Sequence, residues 1–167
     1  MLYTSSEMNK TLRDLNNRLN EQKQMESRCT VFNAAVGEDP ETLRPAYNYE
    51  ETRETLDELE TKIRKAKHAL NVFNSTTPVD ETGMTIDEAL IYLPQLTAKM
   101  NRLCIMAMRL PRERDLSNRN SNIIDYKYVN YDIATVKADY EAVKAELTRL
   151  QLAIDKVNNT VQFEFDF

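Results

Sequence analysis

Glycine is nearly missing from this chain: two in 167 residues, Gly37 and Gly83, beside five prolines. So few turn-forming residues exclude a β fold built on frequent tight turns and favour long helices. Tryptophan is absent, histidine occurs once, and the two cysteines, Cys29 and Cys104, lie far apart with no Cys-x-x-Cys. A structural zinc site is therefore not expected, and both thiols are expected to be reduced. The lone His68 sits beside Lys67, off any apolar seam and without a Glu-x-x-His pattern, which argues against a ferritin-type di-iron site and for an exposed or rim position. No run of about 18 apolar residues is available to span a bilayer. Residues Met1 to Glu7 lack the basic and apolar regions of a signal peptide, so a soluble cytoplasmic protein is expected.

The formal charge of −5 argues against a general nucleic-acid binder, which needs a basic excess to displace counterions from phosphates, but it leaves room for a local basic patch. With 29% charged and 41% hydrophobic residues the chain is not of disordered type. Its length suits a single helical-bundle domain, 1–167, with one core.

What the chain does have is apolar residues at alternating spacings of three and four. Ile133, Val136, Tyr140, Val143, Leu147, Leu150, Ile154 and Val157 form an unbroken seam that must be buried against other helices. Three more stripes precede it: Met8, Leu12, Leu15 and Leu19; then Tyr49 through Ile63 and Ala66 to Phe73; then Ile86, Ala89, Leu93, Leu96, Met100 and Leu103. Thr4 with Glu7, Asn48 with Glu51, and Thr85 with Glu88 read as helix starts, and Asp132 caps the last. The prediction is a mainly α fold, an antiparallel four-helix bundle with coiled-coil-like helices over 4–27, 48–76, 85–110 and 132–159. Short strands are predicted at 28–33, 123–131 and 161–166, and loops at 34–47 and 112–122. Pro94 falls inside the third helix, where a kink is expected.

No nucleophile–base pair, metal cluster or cofactor motif is present, so no catalytic, cofactor or metal residue is assigned. Two groupings remain. Arg109, Arg112, Arg114 and Arg119 crowd the end of the third helix, and guanidinium forks suit phosphate oxygens. Tyr126, Tyr128 and Tyr131 follow in near alternation and can stack bases beside them or pack across strands. Separately, Ile105, Met106 and Met108 extend the apolar surface of the third helix beyond its seam. The terminal alternation of Val161, Phe163 and Phe165 with polar residues gives a strand that folds back or pairs with a neighbouring subunit. These last six residues are the expected interface of a homo-oligomer.

Leu12-Arg13-Asp14-Leu15-Asn16-Asn17-Arg18-Leu19, Asn71-Val72-Phe73-Asn74-Ser75 and Asp125-Tyr126-Lys127-Tyr128-Val129 occur in this order. In these segments the chain, over roughly residues 10–165, resembles a small bacterial family of septicolysin-like and uncharacterised helical proteins. That family tends to carry an Arg-Thr pair where Val72-Phe73 stands here, and a Trp near its final strand. The resemblance implies a bacterial helical domain with a small β element and no established enzyme activity. The septicolysin label implies a haemolytic protein. The residues themselves favour a non-enzymatic, self-associating scaffold or interaction module. Binding of an anion or RNA by the Arg112–Arg119 loop and the tyrosines is the alternative, and a lysin is a third reading.

Overall fold

The computed structural model describes residues 1–79, 83–115 and 124–167. It is mainly helical, with small antiparallel strand pairs, and divides into two compact units.

The first unit comprises Met1–Thr76 and Val157–Phe167. It opens with strand β1 (Leu2–Thr4), which sequence reading missed, and passes directly into helix α1 (Ser5–Cys29). Thr4 serves both elements. Its hydroxyl accepts from the Glu7 N–H at 3.2 Å, while the Glu7 carboxylate takes the Thr4 N–H at 2.8 Å, so the expected capping box forms. These hydrogen bonds, the backbone one foremost, hold the Glu7 carboxyl below the ordinary carboxylate range. The strand predicted at 28–33 does not form. Helix α1 continues to Cys29, and the Thr30 N–H donates to the Glu26 carbonyl at 3.0 Å. Among the described residues no strand pairs with Cys-Thr-Val-Phe, so its local β preference is not expressed.

A short helix α2 (Pro40–Leu43), capped by Asp39, lies inside the predicted loop 34–47. Helix α3 (Tyr49–Thr76) starts where expected, with Asn48 Oδ1 accepting from the Glu50 N–H at 3.0 Å. Helices α1 and α3 pack through a core of Met8, Leu12, Leu15, Ile63 and Ala66. Their sense is antiparallel: Lys23, late in α1, pairs with Glu60 of α3 at 2.8 Å, while the early α1 residues meet the later part of α3.

Strand β4 (Gln162–Glu164) folds back on β1 of the same chain, with Leu2 opposite Glu164, Tyr3 opposite Phe163 and Thr4 opposite Gln162. Phe163 stacks against Phe73 with ring centroids 4.8 Å apart, and Phe165 meets Tyr3 edge-on at 6.5 Å. Both phenylalanines pack against the α1–α3 core. Two aromatic rings on one strand face thus find their apolar cover within this unit.

The second unit is Thr77–Lys156. Helix α4 (Ile86–Ala107) begins with the expected Thr85–Glu88 capping box and ends three residues before the predicted 110. Pro94 lies within it and is exposed, away from the buried seam. Helix α5 (Ile133–Thr160) is capped by Asp132, whose carboxylate accepts from the Ala134 and Thr135 N–H groups at 3.1 Å and from the Thr135 hydroxyl at 2.6 Å. Those contacts, the Thr135 hydroxyl first, lower the Asp132 pKa. The last turn of α5, from Val157, belongs with the first unit. Val136, Val143, Leu147, Leu150 and Ile154 are buried on α5, as are Ile86, Ala89, Leu96 and Leu103 on α4, as their spacing requires. The Tyr92 hydroxyl donates to Glu146 Oε1 at 2.9 Å, tying α4 to α5 and raising the tyrosine pKa.

Two strands complete this unit: β2 (Arg112–Arg114) and β3 (Tyr126–Tyr128), paired antiparallel. The strand predicted over 123–131 is confined to three residues, and the predicted loop 112–122 begins as a strand. Residue 123 and the loop positions from 116 onward lie outside the described residues.

Candidate functional site

The register of the β2–β3 ribbon decides which of the suspected anion-binding residues act together. Arg112 lies opposite Tyr128, Glu113 opposite Lys127, and Arg114 opposite Tyr126. Paired residues share a face, and faces alternate along each strand. One face therefore carries Arg112, Arg114, Tyr126 and Tyr128, and the other carries Glu113 and Lys127. Neighbouring Asp115 extends the second face, and its carboxylate holds Lys127 Nζ at 2.9 Å. The acidic residues that dilute the basic patch in the sequence are thus sorted to the back of the ribbon.

On the front, the Arg112 guanidinium lies over the Tyr126 ring, 4.4 Å from its centroid. The Tyr126 and Tyr128 centroids are 6.4 Å apart. Tyr128 is 67% exposed, and Arg112 and Arg114 are also on the surface. The ribbon is held at its base by the Val129 N–H donating to the Pro111 carbonyl at 3.3 Å, and beyond its tyrosine face by the Asp115 N–H donating to Asp125 at 2.9 Å.

The other predicted members separate. Tyr131 is half-buried and its hydroxyl donates to the Met106 carbonyl at 2.9 Å, so it fastens the end of α4 rather than standing beside the other tyrosines. Arg109 lines an open cavity of about 630 Å³ with Met108, Leu110, Pro111, Ile133 and Lys137. Its chemistry is an apolar floor with two cations. Lys137 was not singled out from the sequence, because a lysine between seam residues of a helix carries no signal of its own. Arg119 lies outside the described residues.

Of the suspected association surface, Ile105 and Met108 are exposed and Met106 is half-buried. Val161 is exposed, whereas Phe163 and Phe165 are half-buried in the first unit. His68 is exposed, on a groove of α1 and α3 residues that includes Asn16, Glu60 and Lys67. Both cysteines are free. Among the described residues, no group of three or more His, Cys, Asp or Glu side chains converges to hold a metal, and no helix is long and apolar enough to cross a membrane.

No protein-family model matches the chain, and no curated protein does. The crystal structure of a functionally unknown conserved protein from Corynebacterium diphtheriae is similar to it, with a TM-score of 0.57 and 22% sequence identity, over 98% of this chain and 100% of that one. At that identity the likeness concerns the fold, and it spans both chains from end to end.

Proposed function

We propose that this protein is a non-enzymatic helical interaction module whose copies associate through the outer face of α4. One observation carries this reading: α4 is apolar on two opposite sides. At 100° per residue, Ile91, Ala98 and Ile105 fall along a stripe on the side away from Ile86, Ala89, Leu96 and Leu103, and Met108 caps the helix just beyond Ile105. The inner set is buried, whereas Ile91 is 59%, Ile105 62% and Met108 79% exposed. Large aliphatic side chains in a row on an exposed helix face mark a surface with a partner, and a second copy supplies the same stripe for a two-fold contact. The terminal strand contributes less, since Phe163 and Phe165 are already engaged with the chain's own core.

The same reading takes the four long helices as one antiparallel bundle, supported by their four apolar seams, in a cytoplasmic setting that suits the free thiols. Light scattering on the purified protein and on Ile105→Glu with Met108→Glu tests the association. The expected result is a dimer or larger assembly for the natural chain and a monomer of unchanged helicity for the variant. A natural chain that stays monomeric at roughly 100 µM, where even a weak specific contact is populated, defeats the proposal.

A further inference from the structure

We infer that the front face of the β2–β3 ribbon is a binding platform for single-stranded nucleic acid, with Tyr128 and Arg112 stacking on bases and Arg112 and Arg114 meeting phosphates. This goes beyond self-association and uses residues of a different element, so the two proposals can fail separately.

The argument starts from the sorting of charge. In the sequence Arg112 and Arg114 alternate with Glu113 and Asp115, and Tyr126 and Tyr128 flank Lys127. A period-2 backbone places both arginines and both tyrosines on one side and returns Glu113, Asp115 and Lys127 to the other, where Asp115 holds Lys127. The front face is then locally cationic on a protein of net charge −5.

The aromatic geometry follows. Tyr126 and Tyr128, two residues apart on a strand with centroids 6.4 Å apart and rings tilted by 53°, do not stack face to face, so the ring of Tyr128 is not covered by Tyr126. Aromatics displayed on a small sheet in this manner are a general means of holding single-stranded bases. Tyr126 has one face already covered by the Arg112 guanidinium at 4.4 Å. Tyr126 is therefore a positioning residue: its ring fixes the fork of Arg112, reducing the entropy lost when that fork meets a ligand. The outer surface of Arg112 and the ring of Tyr128, 67% exposed, remain open.

Arg112, Arg114, Tyr126 and Tyr128 are all exposed, which favours an extended strand lying across them over a free nucleotide that needs enclosure. A duplex presents its bases edge-on and is not a substrate for stacking. Two arginines set the scale of affinity, which is modest and salt-dependent.

The test is fluorescence anisotropy with a labelled oligouridylate of about twelve nucleotides at roughly 50 mM salt, with a duplex of equal length and inorganic phosphate as competitors. The expected Kd is on the order of 10–100 µM, with the duplex bound more weakly. Tyr128→Ala is expected to weaken binding at least about fivefold, while Tyr128→Phe, which keeps the ring, stays within about twofold. Arg112→Ala with Arg114→Ala is expected to lower affinity and to shallow the slope of log affinity against log salt by about 1.4. Should that double variant loosen the ribbon, the exposed Tyr128 pair of variants decides alone. Absence of binding by the natural chain, equal binding of duplex, or an unaltered Kd for Tyr128→Ala each overturns the inference. Displacement by phosphate with no loss in Tyr128→Ala also overturns it, since that marks a bare anion site.

Discussion

The two antiparallel ribbons β1–β4 and β2–β3 are of equal length and have opposite fates. In β1–β4, Tyr3 and Phe163 form one cross-strand pair, and Phe163 and Phe165 pack on the α1–α3 core. In β2–β3 every strand residue is exposed, and the cross-strand pairs join arginine or lysine to tyrosine or glutamate. The backbone hydrogen bonding is of the same kind. Two strands alone are marginal in water, so each ribbon needs outside support. The first obtains it by burying rings. The second relies on a cation–π stack on its front, an ion pair on its back and hydrogen bonds at its ends, and its strand residues stay exposed. A ribbon with a greasy side is consumed by folding, whereas one with a charged and aromatic side is left in solvent.

The largest expected effect comes from attacking the buried ribbon. Phe163→Ala removes the ring stacked at 4.8 Å on Phe73 and should cost about 2–3 kcal/mol, read as a fall in the urea midpoint, a discount on full burial because Phe163 is only half-buried. The matching change in the exposed ribbon, Tyr128→Ala, should alter stability by less than about 0.5 kcal/mol. Equal costs for the two would break the comparison.

Next in size is the junction of β1 with α1. Thr4→Val keeps a β-branched residue opposite Gln162 but deletes the cap, and should lower stability by about 1 kcal/mol. Acid sharpens the point. Because the folded Glu7 pKa lies below its unfolded value, the stabilisation is fully present above the ordinary carboxylate range and is lost as pH falls through the folded pKa. Asp132 at the start of α5 behaves the same way. Urea midpoints measured from about pH 5 down to pH 3 should fall less steeply in Glu7→Gln than in the natural chain. A parallel decline would remove Glu7 from the acid response. The smallest effect is expected for Lys127→Gln on the back of the exposed ribbon, no more than about 0.5 kcal/mol in the urea midpoint, since Lys127 is largely in solvent.

The helices could be read from the chain because each announces itself locally. Six of the eight seam residues expected on the last helix are buried, and Ile133 and Tyr140 are half-buried. Four N-caps, two of them reciprocal capping boxes, stand where Thr, Asn and Asp precede amphipathic runs. The strands were harder, because a strand is defined by a partner. Leu2-Tyr3-Thr4 is too short to signal itself and pairs with residues at the far end of the sequence. Arg112-Glu113-Arg114 has the composition of a loop, and only pairing with Tyr126–Tyr128 makes it a strand. At 28–33 the residue types favour a strand, but among the described residues no partner lies there and the preceding helix continues.

For the candidate site, the sequence named the arginines and tyrosines but not their grouping. Tyr131 follows Tyr126 and Tyr128 in near alternation, yet the structure turns it inward to the Met106 carbonyl. Arg109 was counted with Arg112 and Arg114, and it lies instead with Lys137 around the cavity at the end of α4.

By itself, the order of residues determined the long helices, their starting points and the sides of them that must leave water, since helix periodicity and capping act over a few residues. Tertiary structure alone decided which strand meets which, and hence which charges share a face. Strand pairing joins positions distant along the chain, and a shift of one residue in its register exchanges the two faces.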